Sequence, residues 1–200
     1  MNSVTTGRRA VQLLICWLAL SLLHFMTPAQ AQVASPMYPP LQSGEFRVTL
    51  LGTGAPPPLM RRFGPGVLVQ AGGQSVLIDS GRGVTQRLFQ LGVKLGAIDA
   101  VFITHLHSDH IVGIPDLWLT GWLEAAYAQR NGPFRIWGPA GTRAMMGHLE
   151  KAYEWDIRQR IADQGLKAEN VAVQASEVAD GVVVYERNGL KGTAIEVDHG

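Results

Sequence analysis

Four side chains able to bind a metal ion lie within six consecutive residues, in the pattern His-x-His-x-Asp-His at His105, His107, Asp109 and His110. The chain has six histidines, and three of them belong to this cluster. Imidazoles and carboxylates together suit zinc and similar divalent cations. The cluster therefore predicts a metal site. Two ions held about 3.5–4 Å apart in such a site would clamp the attacking and leaving oxygens of an ester during its hydrolysis.

An apolar run over residues 100–104 precedes the cluster and predicts a buried strand. Alternate residues of a strand point to the same side, so His105 and His107 would project together from its end and share one ion. If the chain turns at Ser108, Asp109 and His110 would reach a second ion. The pattern thus predicts a two-metal centre at a strand end.

Short apolar runs and segments of helical spacing alternate along the rest of the chain. This alternation, with hairpins near both ends, predicts an α/β protein with a mixed sheet. The predicted strands are residues 46–51, 66–70, 75–79, 100–104, 134–137, 171–175, 181–186 and 191–197, and the predicted helices are residues 83–91, 114–127 and 142–161.

The first residues read as a secretory signal peptide over residues 1–31, with Arg8 and Arg9 before an apolar run and small residues up to Ala31. The apolar run is shorter than the ~20 residues that a membrane span requires. We therefore expect cleavage before Gln32, no stable membrane span afterwards, and export to the periplasm or the medium. Residues 32–44 are rich in proline and predict a linker.

The composition of the mature chain narrows the function further. Removal of residues 1–31 takes Arg8 and Arg9 from the 17 basic residues and leaves 15 against 16 acidic residues. A chain without a basic excess does not favour a nucleic-acid partner, although it leaves one open. The single cysteine, Cys16, lies in the signal peptide, so histidines and carboxylates must supply the metal ligands.

Several motifs together carry a resemblance to a known family. The chain resembles the metallo-β-lactamase superfamily, in particular its ribonuclease Z-like branch, which includes tRNase Z and arylsulfatase-like enzymes. The resemblance covers about residues 45–200 and implies an αββα sandwich with a mixed sheet. The segments that carry it are residues 46–54, 77–81, 102–115, 137–141 and 194–200.

The resemblance also implies a role for individual residues. His105, His107 and His199 would hold one zinc ion, and Asp109 and His110 would hold a second, giving two zinc ions per complete active site. Asp109 would also act in catalysis by orienting the nucleophile. Asp79 would accept a hydrogen bond from a ligating histidine and so orient its ring.

The family pattern continues beyond the position matched by His199, with a metal-bridging aspartate and a further histidine. This sequence ends at Gly200. We therefore expect residues 45–200 to be the N-terminal portion of the hydrolase domain. The sandwich would then be truncated after its first half to two-thirds, and the catalytic centre would be incomplete.

The main functional hypothesis is an exported zinc-dependent hydrolase, in which a metal-bound hydroxide attacks a phosphodiester, a sulfate or a related small anionic ester. Arg61 and Arg62 would bind the anionic group of the substrate. One alternative is a ribonuclease Z-type endonuclease that processes tRNA 3′ ends. Another is a non-catalytic periplasmic zinc-binding protein. Homodimerisation is left open by the sequence.

Overall fold

The computed structural model describes residues 40–199, and the signal peptide and most of the linker expected at the start of the chain lie outside these residues. Six strands form one mixed sheet in the order β1-β2-β3-β4-β5-β6, and two more form a hairpin. The strands are β1 (Phe46–Gly52), β2 (Gly66–Ala71), β3 (Gln74–Ile78), β4 (Ala100–Phe102), β5 (Phe134–Gly138), β6 (Val173–Glu177), β7 (Val183–Arg187) and β8 (Leu190–Thr193).

Six α-helices and one 3₁₀ turn, Leu95–Ala97, connect the strands of the described part of the chain. None of the described helices is both long and apolar enough to cross a membrane. The α-helices are α1 (Val84–Gln90), α2 (Ser108–Ile111), α3 (Ile114–Gly121), α4 (Thr142–Ala152), α5 (Glu154–Gln164) and α6 (Ala168–Val171).

The strand directions bring several loops together at one edge of the sheet. Strands β1, β2 and β3 pair antiparallel, whereas β3, β4, β5 and β6 pair parallel. The carboxyl ends of every strand of this sheet except β2 therefore meet at the same edge. Functional residues collect at this edge in α/β folds because the loops that follow the strands converge there.

The two faces of the sheet are packed differently. One face packs against the helices through a core that includes Leu68, Leu77, Ile136, Trp118 and Trp122, all of them almost completely buried. The hairpin β7–β8 covers part of the opposite face. Apolar residues of β1 remain exposed on the sheet, namely Phe46, Val48 and Leu50.

These observations confirm the α/β class and the mixed sheet, but several predicted elements have different bounds. The helix predicted over residues 142–161 is two helices, α4 and α5, interrupted at Tyr153, whose φ of −102° departs from helical geometry. The strand predicted over residues 191–197 ends at Thr193. The backbone beyond it bonds to a loop, because Ala194 N donates to Val182 O and Glu196 N donates to the carboxylate of Asp180.

The helix predicted over residues 114–127 ends at Gly121 because a buried arginine binds its last turn. Arg130 is 5% exposed, and its guanidinium donates to the carbonyl oxygens of Trp118 and Leu117 at 2.7 and 3.0 Å. The guanidinium also lies 4.9 Å from the centre of the Phe134 ring. Burial lowers the pKa of Arg130 to about 10, so the group stays charged at neutral pH and complements the carbonyl end of the helix.

Replacement of this arginine is expected to destabilise the fold. Arg130→Ala removes the donors to two buried carbonyl groups and leaves a void, which lowers the free energy of unfolding by about 2–4 kcal/mol. Arg130→Lys restores the charge but not the planar fork, and recovers only part of the loss. Urea denaturation measures the free energy of unfolding of both variants. The control Arg158→Ala changes an exposed arginine and shifts stability by about 0.5 kcal/mol or less. Equal stability of Arg130→Ala and wild type would contradict this role.

Candidate metal centre

Three imidazole rings converge at the carboxyl edge of the sheet. His105 Nε2 lies 3.1 Å from His107 Nδ1 and 3.2 Å from His199 Nε2. One nitrogen from each ring can be chosen so that all three atoms lie within 4.8 Å of one another. In a tetrahedral site with metal–nitrogen bonds of about 2.0–2.1 Å, two ligating nitrogens are separated by about 3.4 Å. The donor types and the spacing therefore fit a divalent cation such as zinc.

The reason that His105 and His107 meet differs from the one expected from sequence. Strand β4 ends at Phe102, so strand alternation does not align the two rings. His107 instead has an extended backbone, with φ −64° and ψ 142°, directly before helix α2. The loop and the start of this helix turn the chain back, and the two rings meet edge to face with their centres 4.6 Å apart.

The carboxylate of Asp79 connects the ends of β3 and β4 beneath these rings. Asp79 is 6% exposed and adopts a left-handed backbone with φ 60°, which aspartate tolerates better than most residues. Its Oδ1 accepts a hydrogen bond of 2.9 Å from Thr104 N, and its Oδ2 lies 2.8 Å from His110 Nδ1. The Thr104 hydroxyl donates to the same carboxylate. Asp79 thus holds both the loop before His105 and the ring of His110.

Thr104 transmits this orientation to His105, although the sequence analysis did not single it out. Its Oγ1 lies 2.9 Å from Asp79 Oδ2 and 3.0 Å from His105 Nδ1. A hydroxyl has one proton to donate, and the carboxylate accepts it, so Oγ1 accepts a hydrogen bond from His105 Nδ1–H. The Nε2 lone pair of His105 is then directed at the other imidazoles. The position directly before His105 was the only available sequence signal for Thr104.

The pKa of His105 is lowered from its ordinary value. Partial burial is the largest cause, followed by the positive charges that the neighbouring rings of His110, His199 and His107 would carry. The lowered pKa favours the neutral ring, which is the form that binds metal ions.

Asp109 and His110 lie in helix α2, beside the group of three histidines. The ring centre of His110 is 4.0 Å from that of His105, and its Nε2 is 3.8 Å from Asp109 Oδ2. Within the described residues these two side chains provide an imidazole nitrogen and a carboxylate that face each other. Both side chains lie next to the three-histidine group, and His110 Nδ1 is bonded to Asp79.

His199 reaches the cluster from an irregular segment, which the loop between β6 and β7 holds in place. Glu196 N donates to Asp180 Oδ1 at 2.8 Å, and Gly181 N donates to Ala194 O at 2.9 Å. Asp180 has no sequence signal of its own, because its partner lies 16 residues away in the chain. The distance between these residues along the chain hides the contact from pattern analysis.

Glycines allow the loops at this edge to pack against one another. A Cβ atom on Gly81 would lie 2.5 Å from Asp109 O and 2.7 Å from Pro65 N. The amide of Gly81 donates to Pro65 O, and the amide of Gly64 donates to Arg82 O, both at 2.8 Å. The backbone that carries Asp109 therefore rests directly on the turn that follows Asp79.

Arg61 and Arg62, predicted to bind an anionic group, are exposed in the loop between β1 and β2. This loop leaves the same edge of the sheet as the histidines. The two arginines line a separate cleft with Arg87, away from the three imidazoles. The structure therefore places Arg61 and Arg62 at the same sheet edge as the histidines but in a different cleft.

Comparison with known proteins identifies the family. A family model described as the metallo-beta-lactamase superfamily matches residues 60–194. The chain belongs to this superfamily. Zn(2+)-bound PqqB from Methylobacterium extorquens superposes with a TM-score of 0.50 at 17% identity, over 75% of this chain and 55% of that chain, which supports the fold.

Curated relatives point to one branch of the superfamily. A protein named Ribonuclease Z from Mycolicibacterium gilvum is 46% identical over 138 residues, which cover 69% of this chain and 48% of the relative. A protein of the same name from Mycobacterium marinum is 40% identical over 154 residues, covering 77% of this chain and 54% of the relative. The chain spans about half the length of these relatives. The resemblance to the ribonuclease Z-like branch is thereby confirmed.

The close packing at Gly81 can be tested with a matched pair of substitutions. Gly81→Ala forces a methyl group against Asp109 O, so we expect the free energy of unfolding to fall by about 1–3 kcal/mol. Gly147→Ala makes the same change inside helix α4, where a Cβ would meet no atom within 4 Å. That control should stabilise the protein by about 0.5–1 kcal/mol, because alanine favours a helix interior. Thermal denaturation compares them, and equal melting temperatures would argue against the close packing.

Proposed function

We propose that this chain is the metal-binding part of a zinc-dependent phosphodiesterase of the ribonuclease Z type, with RNA as its substrate. The convergence of His105, His107 and His199 on one point carries the proposal of a metal-dependent hydrolase. The relatives named Ribonuclease Z support RNA over the small phosphodiester, sulfate or related ester of the main hypothesis from sequence.

The residues divide the work of metal binding between them. His105, His107 and His199 would hold the first zinc ion, and Asp109 and His110 would contribute to a second. Bound zinc supplies Lewis acidity, which favours ionisation of water near neutral pH and stabilises negative charge on phosphoryl oxygens. The Nε2 atoms of His105 and His199 lie 3.2 Å apart, close to the separation of about 3.4 Å between two nitrogens that bind the same zinc ion. This juxtaposition is the structural support for a bound cation.

The surrounding residues hold the ligands in their orientation. Asp79 is buried and bonded to Thr104 and His110, so it cannot swing to accommodate a misplaced ring. Thr104 selects the tautomer of His105 that leaves Nε2 free for the metal. Asp109, half-buried 3.8 Å from His110 Nε2, would orient the attacking nucleophile and hold its proton.

Two other hypotheses from the sequence have distinct outcomes in experiment. An exported esterase would act on a small anionic ester and leave RNA intact, and a non-catalytic protein would bind zinc without hydrolysing either. Export itself rests on residues 1–31 and is a separate proposal from the choice of substrate.

The role of Thr104 predicts a difference between two small substitutions. Thr104→Val keeps the shape of the side chain but removes the hydroxyl that orients His105, so zinc affinity should fall about 10- to 100-fold. Thr104→Ser retains the hydroxyl and should bind zinc almost as tightly as wild type. Competition with a chromogenic chelator measures the affinity. If the valine variant binds zinc as well as the serine variant, the hydroxyl does not orient the ligand.

The substrate proposal is tested by offering three substrates in parallel to the purified, zinc-loaded, full-length gene product. We expect cleavage of a 3′-extended precursor tRNA, because the histidines are placed to bind a cation that activates a phosphodiester. His107→Ala should reduce the rate by more than about 100-fold. Removal of a metal ligand lowers activity more than removal of a residue that only hydrogen-bonds to a ligand, which costs about 10- to 100-fold. His148→Ala changes an exposed histidine of α4 and serves as the control. Hydrolysis of p-nitrophenyl sulfate or nitrocefin with intact RNA would overturn the proposal.

A further inference from the structure

A cleft of about 250 Å³ opens where strand β1 ends beside the last turn of helix α1. Three arginines line it, Arg61, Arg62 and Arg87, together with polar side chains of Thr49, Thr53 and Gln90. None of the residues that line this arginine cleft is acidic. Three guanidinium groups therefore share one concave surface without a counter-charge.

The wider sequence around the cleft has the same imbalance. Residues 53–91 contain four arginines and a single acidic residue, Asp79. The carboxylate of Asp79 is buried and hydrogen-bonded to Thr104 and His110, so it does not neutralise the surface. Among the described residues, the arginines that form ion pairs are Arg47, Arg158 and Arg160, all outside this segment. The near-neutral charge of the whole chain thus conceals a local basic surface.

Two contacts hold the guanidinium of Arg87 against the loop that carries Arg61 and Arg62. The guanidinium of Arg87 lies 4.7 Å from the centre of the Phe63 ring and donates to Arg61 O at 3.4 Å. The base of the loop is closed by hydrogen bonds from Thr53 N to Arg62 O and from Gly54 N to Phe63 O, at 3.1 and 2.7 Å. Like charges held close together repel one another, and an anion bound between them relieves that repulsion. Guanidinium groups match the geometry of phosphate oxygens, so a concave surface lined by three arginines is suited to bind phosphate.

The arginine cleft and the three histidines lie at the same edge of the sheet. Strands β1, β3 and β4 run in the same direction, and their carboxyl ends carry the arginine loop, Asp79 and His105 respectively. The loop continues through Gly64, whose backbone packs against Arg82 and Asp109. No histidine of the cluster lines the cleft, so a ligand that contacts both must extend from one to the other, as a chain with several phosphates can.

We propose that the arginine cleft binds the backbone phosphate of an RNA nucleotide other than the one at the cleaved bond. This inference rests on the proposed function, because it takes the substrate to be RNA. The sequence analysis expected Arg61 and Arg62 to bind an anionic group of the substrate. The cleft adds Arg87, whose guanidinium contacts the loop at Phe63 and Arg61 O. The cleft would set the position of the strand at the metal centre and select polynucleotides over small phosphodiesters.

Binding in the absence of cleavage tests the cleft directly. The probe is a 5′-fluorescein-labelled single-stranded RNA, titrated with protein in EDTA at several potassium chloride concentrations and followed by anisotropy. Each arginine–phosphate contact removed should lower the slope of log affinity against log salt by about 0.7. The double variant Arg61→Gln/Arg62→Gln and the single variant Arg87→Gln should both lower it, with roughly tenfold weaker binding at low salt for the double variant.

Two further variants separate specific contacts from general charge or folding. Arg87→Lys keeps the charge but cannot form the bidentate contact, so its affinity should lie between wild type and Arg87→Gln. Arg158→Gln removes one exposed arginine on α5 that does not line the cleft, and should leave the slope unchanged. Arg61 and Arg62 are exposed, so their variants remain folded by circular dichroism even if Arg87→Gln is destabilised.

The outcomes distinguish this proposal from the proposed function. If precursor tRNA is cleaved and the salt slope is the same in all variants, the arginine cleft does not bind RNA phosphate, and the proposal is overturned. If the slope falls as expected but no RNA is cleaved, the cleft stands and the proposed activity fails. If the variants lose affinity for inorganic phosphate but not for the labelled RNA, the cleft is a site for free phosphate and the proposal is also overturned.

Discussion

The candidate metal centre depends on the hydrogen bonds that the buried carboxylate of Asp79 accepts. Asp79 sits where β3 ends, in a backbone conformation that few residues adopt, and both of its oxygens are engaged by Thr104 and His110. Because a buried carboxylate is costly to leave unbonded, these contacts are strongly maintained. Through Thr104 the same carboxylate sets the orientation of His105. One side chain thus couples two strand ends and a helix to the position of two imidazoles.

This arrangement requires residues without side chains in the loops next to Asp79. Gly81 and Gly64 have no side chains, so three loops can come into contact next to the backbone of Asp109. A Cβ atom at either position would lie too close to neighbouring backbone atoms. The same contacts fix the path of the loop between β1 and β2. The metal-binding residues and the basic loop are consequently parts of one packed edge, and their relative positions follow from backbone contacts more than from long side chains.

The same edge of the sheet carries a group of positively charged side chains in addition to the histidines. The chain as a whole has nearly equal numbers of acidic and basic residues, which argued against a polyanionic partner. The fold gathers three arginines in one cleft at the same sheet edge as the histidines, while the acidic residue in the same segment, Asp79, is buried in internal contacts. The cleft that these arginines line is therefore locally positive, while Asp109 lies at the same edge beside the histidines.

Local pattern was sufficient to predict much of the fold and the candidate ligands. The six-residue cluster, the early strands and the α/β class are visible in the sequence because ligand spacing and apolar periodicity are local properties. The resemblance to a known family added His199 and Asp79. Errors fell where a tertiary contact overrides periodicity: Arg130 ends helix α3, a break at Tyr153 separates α4 from α5, and a loop carrying Asp180 holds the segment before His199.

The sequence by itself determined which residue types are available for metal binding and the strand-and-helix order that carries them. Only the tertiary structure decided how they meet. Thr104 became part of the site because its hydroxyl lies between Asp79 and His105, and Arg87 joined Arg61 because helix α1 packs beside the end of β1. Contacts of this kind join residues more than 20 positions apart, and their geometry follows from packing of the whole sheet edge, which no local pattern encodes.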